Sequence, residues 1–354
     1  MWSSPSCPSR VRARSRSPCC ESGSGRVTRS VSIRSIGGQQ PGLCGGWRTP
    51  TVRQSGRSRT LRYGGTSVTR GDPAVEGIVL YEKRGPIGTV TLNYGHAYNT
   101  LTLESMEALE ATLKEIAARR EVAVVILQGN EKTFSSGHNF REIQELDLQG
   151  VYDLFQRSFR LKQTIREMPQ VVVAKVRGIA VAAGLELVAV ADLAVAAESA
   201  RFGTPGINWG LFCSTPAVFL SRNVGRKKAA EMLFTGNLYS AREAEGMGLV
   251  NRVVPDEALD EATEALAQAI ARHSLDVIAI GKRMFYQQLQ MQDFEALAFA
   301  TEVIVRNSKH PDAVSGIQAF CEKRTPVWHD GIERAAASTE AAARGSQVGE
   351  RAEG

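Results

Sequence analysis

Two short stretches of this 354-residue chain hold the residues that could do chemistry. In VRGIAVAAGLELVAVADLAVA (residues 176–196), a Gly/Ala-rich turn opens a helix in which Glu186 stands among apolar residues. Packing alone gives an acid no reason to be there. Such a carboxylate is either a base or proton shuttle, or a structural group paired inside the fold, and the sequence leaves both open. In FSSGHNFREI (residues 134–143), Gly137 sits in a small-residue turn ahead of a helix, so its backbone N–H groups are free to face a ligand. Other chemistries have less support. The four His residues besides His138 make no metal-ligand spacing with acids or cysteines, so no metal is expected. Cys213 has no evident His or Asn partner and reads as a small buried hydrophobe before it reads as a nucleophile. Ser135 and Ser136 do not form a G-x-S-x-G elbow.

The elements that must position these stretches follow from periodicity. Residues 77–93 predict two short strands around a Gly-Pro turn. Thr102 opens a helix to about residue 120, with Leu103, Met106, Leu109, Leu113 and Ile116 in helical spacing. Residues 122–127 are a continuous apolar run, the pattern of a strand buried on both faces. A helix over 151–168, a strand over 171–175, a short helix over 184–191 and a strand over 193–197 follow. Strands and helices alternate, so a parallel α/β layering is expected. After a strand at 251–254, helices are expected at 256–272, 276–288, 294–307 and 311–323. The expected organisation is a core over 76–255, a helical C-terminal subdomain over 256–330, and a flexible tail over 331–354.

Charge divides along the chain. Residues 1–70 hold thirteen Arg, no Lys and one acid, Glu21, whereas the remainder is net −6 within a total of +6. A nucleic-acid-binding surface over the folded part is therefore not expected. The Arg/Ser-rich, acid-poor segment has no sustained period and matches a mitochondrial transit segment, which places the protein in the matrix. A disordered Arg/Ser tail that binds RNA or is phosphorylated fits the same composition. No run reaches the roughly 20 apolar residues of a membrane span. Cys213 and Cys321 alone remain in the body, which excludes a disulfide framework and fits a reducing compartment.

The two stretches, with FGTPGINWGLF (202–212), MLFTGNLYSAREAEGMGLVNRVVP (232–255) and GIQAFCEKRTPVW (316–328), resemble the enoyl-CoA hydratase/isomerase family, the crotonase superfamily, over about residues 76–328. The resemblance implies an α/β fold: a crotonase-type ββα spiral core with a helical C-terminal oligomerisation subdomain, assembled as a trimer or hexamer. It implies an oxyanion hole from the backbone N–H groups of His138 and Ala183, with Glu186 as the first of two catalytic carboxylates. At the second position this chain has Gly206, so efficient hydration is in doubt, and Gly206→Glu is expected to restore it. A coenzyme A thioester is implied as substrate or ligand, with no permanently bound cofactor. Ala97, Asn99, His138, Asn139, Phe140 and Arg141 would form its floor, and Phe320 and Lys323 would close over the adenine from a neighbouring subunit. Whether the protein is a weak or altered hydratase/isomerase of fatty acid metabolism or a catalytically silent acyl-CoA-binding protein stays open. The His138 ring either contacts substrate or leaves only its backbone in use.

Overall fold

β-Branched residues build the first hairpin, in which β1 (Val79–Arg84) and β2 (Ile87–Leu92) pair antiparallel. Thr102 then caps α1 (Leu103–Arg119) through a capping box with Ser105, worth about 1 kcal/mol. Residues 77–94, 98–130 and 132–334 are described by this computed structural model, within one compact unit, Arg70–Gly354. Residues 1–70, Ala97 and all of the expected tail beyond 334 lie outside the described residues.

Three successive passes of the chain each lay one strand in a large sheet and the next in a small one. The first runs β3 (Val124–Gln128) then β4 (Thr133–Ser135), and the second β5 (Val171–Val176) then β6 (Ile179–Val181). The third runs β7 (Leu193–Ala197) then β8 (Arg201–Gly203). Helices α2 (Phe140–Glu145) and α3 (Leu148–Glu167) follow the first pass, and α4 (Ala183–Val190) follows the second. After the third come α5 (Ser214–Asn223), α6 (Arg226–Thr235), β9 (Leu238–Ser240), α7 (Ala241–Met247) and β10 (Arg252–Val254). The large sheet is ordered β1-β2-β3-β5-β7-β10 and is parallel from β2 onward. The small sheet is ordered β4-β6-β8-β9. Its strands are three residues each, too short for a period to show in the sequence. Helix α3 begins three residues before the expected 151 because Asp147 caps it, accepting from Gly150 N–H at 2.8 Å.

The large sheet is buried on both faces, as the apolar run at 122–127 requires. Val125, Leu127, Val172 and Ala174 face one core cluster, while Val124, Ile126 and Val173 face another. Helix α8 (Leu259–Ala271) covers the second face with Leu259, Ala267 and Ala271. Helix α8 thus packs into the core of the large sheet. The helices α9 (Leu275–Gln288), α10 (Asp293–Asn307) and α11 (Pro311–Cys321) follow, and they expose Leu289, Phe294, Leu297, Ile304, Ile317 and Phe320. Ile332 is buried in the α8 cluster, and Arg334 donates to Asp330 Oδ2 and Ala271 O, both at 2.7 Å.

Candidate active site

Parallel pairing of β4 with β6 sets Thr133 against Ile179 and Ser135 against Ala180, so the turns that leave the two strands emerge side by side. The first turn carries Gly137 and His138, and the second carries Ala182 and Ala183. Gly137 adopts φ +85°, and a Cβ there would lie 2.9 Å from Ala183 N. Gly184 packs the first turn of α4 onto β4, where a Cβ would meet Ser135 O at 2.1 Å. Ala182 is held at φ 49°, ψ −120°, a conformation costing a non-glycine residue about 1–3 kcal/mol. Among the described residues, neither His138 N–H nor Ala183 N–H donates to an acceptor, although Leu101 N–H bonds Gly137 O and Asn139 N–H bonds Leu101 O on either side of His138. The Ala183 N–H also lies at the positive end of the α4 dipole. Two adjacent N–H groups without acceptors are what a developing oxyanion needs.

Glu186, three residues beyond Ala183, is 1% exposed. Its Oε2 accepts from Thr215 Oγ1 at 3.0 Å and meets Lys162 Nζ at 3.0 Å. Among the described residues both of these contacts fall on Oε2 and none on Oε1. Burial pushes the Glu186 carboxyl up, against the opposing pull of Lys162 and Thr215. Burial likewise pushes the Lys162 ammonium down, with Glu186 opposing. Lys162 donates to Ser158 Oγ, and Ser158 Oγ is 3.1 Å from His138 Nε2. The His138 ring is partly buried, 4.7 Å from the Phe155 ring and tilted to it. Burial first, and Lys162 second, bring it down to about 3, so the imidazole is neutral at physiological pH. Its side chain packs against Phe155 and Ser158. Lys162, Ser158 and Thr215 escaped the sequence reading. The first two left a signal: they are polar at i and i+4 on the buried stripe of α3 that also carries Leu154, Leu161 and Ile165.

Gly206 lies in a short 3-10 turn, Pro205–Trp209. It has no positive φ, yet a Cβ on it would meet Leu211 O at 2.4 Å and Cys213 Sγ at 3.0 Å. Cys213 is buried at the start of α5, and burial raises its thiol. Asn208, the nearby polar residue, directs Nδ2 to Gly236 O at 3.4 Å.

The remaining expected ligand residues are spread out. Asn99 is 1% exposed, and its Nδ2 bonds the carbonyls of Thr133 and Phe134 at 2.9 and 3.2 Å, so its side chain pins β4 in place. Asn139 caps α2, accepting from Arg141 N–H at 3.0 Å. Phe140 is exposed, and exposed Arg141 has no ion-pair partner among the described residues. Phe320 and Lys323 lie exposed at the end of α11, with Lys323 at φ 52°. An apolar cleft of about 680 Å³ is lined by Ile270, Val277, Ile304, Ile317 and Trp328. It contains none of the His138–Glu186 cluster and is an interhelical cleft distinct from this site. Among the described residues, no group of three His, Cys, Asp or Glu side chains is placed to hold a metal ion, and no helix is long and apolar enough to cross a membrane.

Residues 82–331 match the sequence profile of the family described as enoyl-CoA hydratase/isomerase. The chain belongs to this family. Rat enoyl-CoA hydratase domain-containing protein 3, mitochondrial, is 41% identical over 243 residues, 68% of this chain and 81% of its own length. Among solved structures, enoyl-CoA hydratase of Mycobacterium smegmatis matches with TM-score 0.70 at 42% identity, covering 72% of this chain and all of that one. Human enoyl-CoA hydratase domain-containing protein 3 matches with TM-score 0.69 at 39% identity, covering 71% and 99%. The two-sheet spiral followed by C-terminal helices is accordingly the crotonase-type fold of the enoyl-CoA hydratase/isomerase family.

Proposed function

We propose that this family member acts on an acyl-CoA thioester with weak or altered hydratase/isomerase chemistry, in which His138 and Ala183 N–H groups hold the thioester oxygen and Glu186 alone moves the proton. The observation that carries this reading is the pair of N–H groups without acceptors beside a carboxylate whose Oε1 is uncommitted. Gly206 offers no second acid, and the general acid–base contribution of such a group, about 10²–10⁴-fold, is missing from the site. Coenzyme A enters as part of the substrate, with no permanent cofactor. Arg141 supplies a cation for its phosphates, Asn139 and Phe140 shape the floor with Asn99 and Ala97, and Phe320 and Lys323 close over the adenine from a neighbouring subunit of a trimer or hexamer. The relatives named mitochondrial support a matrix protein of fatty acid metabolism.

A silent acyl-CoA-binding protein is the second reading, and the Lys162–Glu186 ion pair favours it, because structural carboxylates are also buried in such pairs. A panel of enoyl- and acyl-CoA thioesters assayed with wild type and Glu186→Ala separates the two. Turnover abolished by the substitution supports the enzyme. Tight binding without turnover supports the silent protein.

A further inference from the structure

The site is wired by one hydrogen-bonded chain across three helices and the turn before α2. Thr215 of α5 and Lys162 of α3 both reach Glu186 Oε2, Lys162 also donates to Ser158 Oγ, and Ser158 Oγ meets His138 Nε2 at 3.1 Å. Donor arithmetic fixes the direction of the Lys162 links. An ammonium only donates, so the Ser158 hydroxyl, accepting from Lys162, has its own proton left for His138. With that proton directed at the ring, Nε2 accepts and the ring proton stays on Nδ1. We propose that Lys162 is the positioning residue of this site: it holds Glu186 as a carboxylate with Oε1 uncommitted, and through Ser158 it fixes His138 as the Nδ1–H imidazole. The assignment rests on the reading of Glu186 as the base.

The physical need for such a residue is clear from burial. Burial of a carboxylate without a counter-ion pushes it toward the protonated form, and a protonated Glu186 cannot act as a base. Few other groups compete for this role. Helix α3 presents Lys162 to Glu186, while Arg166 of the same helix reaches Ala189 O farther along α4. Cys213, at the start of α5, faces it as a thiol, and Thr215 faces it as a hydroxyl. His138 joins only through Ser158, and β4 and β6 carry no titratable side chain. The Ser158–His138 contact resembles a nucleophile–base pair, but Ser158 is 1% exposed and already accepts from Lys162. It links Lys162 to the ring and forms no acyl-enzyme.

Infrared difference spectroscopy on the full-length protein tests this without needing turnover. With Glu186→Gln as the subtraction reference, wild type should show no protonated-carboxyl band from Glu186 at pH 7. Lys162→Met should show one, lost only about one or more pH units higher than in wild type, and absent from Lys162→Met combined with Glu186→Gln. A Glu186 that ionises over the same pH range in Lys162→Met as in wild type overturns the proposal. Ring ¹⁵N NMR of unsubstituted protein gives a readout that does not depend on the variant folding: His138 Nε2 should be the bare nitrogen and Nδ1 the protonated one, and the opposite tautomer overturns the link through Ser158. Absence of turnover in wild type would sink the enzymatic reading of Glu186 while leaving both spectroscopic results to stand or fall separately.

Discussion

The Cys213 sulfur lies 3.0 Å from the point a Gly206 Cβ would occupy, so the thiol fills the space a side chain at 206 would use. Gly206 O accepts from Leu211 N–H at 3.0 Å. The glycine therefore belongs to a turn built around having no side chain.

The geometry predicts that Gly206→Glu will leave hydration unrestored, the opposite of the expectation from sequence. A Cβ 2.4 Å from Leu211 O forces the backbone apart before any carboxylate is positioned. We expect a loss of about 2 kcal/mol or more, in the range of strained or overpacked substitutions, read as a lowered Tm, and no rise in the rate of enoyl-CoA hydration. A stable variant with faster hydration would refute this account of the turn.

Gly137→Ala should disable the oxyanion hole while sparing much of the fold. The new methyl would stand 2.9 Å from both Ala182 Cβ and Ala183 N, and φ +85° resists a side chain. Moving one donor should lower kcat by about 10²–10³-fold, measured on whichever thioester wild type turns over, with circular dichroism as the folding control. An unchanged kcat would remove Ala183 N–H from the chemistry.

The partly buried, neutral His138 ties stability to acid pH. Its value in the fold is about 3 against 6.5 in an exposed chain, so the unfolded state binds the proton first. Its contribution is fully present above about pH 6.5 and is lost as pH falls toward 3, by at most about 1.4 kcal/mol per pH unit. Urea midpoints at pH 7 and pH 5 should differ less in His138→Gln than in wild type. Equal pH dependence of the two proteins would place the ring in water.

Leu297, Ile304 and Phe294 on α10 expose apolar side chains that an isolated subunit has no reason to keep in water. Light scattering on the full chain should find a trimer or hexamer, and Leu297→Asp with Ile304→Asp should shift it to monomer. A monomeric wild type at micromolar concentration would rule the assembly out.

Much of the architecture was legible because it depends on local pattern. The run at 122–127 predicts a strand buried on both faces, and β3 has one cluster on each side. Thr102, an Ncap residue before an apolar helical period, starts α1 where expected. The strand at Leu193–Ala197 has the expected bounds. The small sheet was hidden because strands of three residues, such as Ile179–Val181, carry too few side chains to show alternation.

The sequence by itself determined that Glu186 stands in an apolar helix behind a Gly/Ala turn, that no acid occupies position 206, and that the chain has an alternating α/β core. Only the tertiary structure decided what Glu186 faces. Lys162 is 24 residues earlier in the chain and Thr215 is 29 later, yet both meet the same carboxylate oxygen because α3 and α5 pack on α4. The structure also decided that Gly206 is held glycine by Leu211 O and Cys213 Sγ. Local periodicity records which side of a helix is buried, whereas the charge that keeps a buried carboxylate ionised comes from whichever element the fold brings against it.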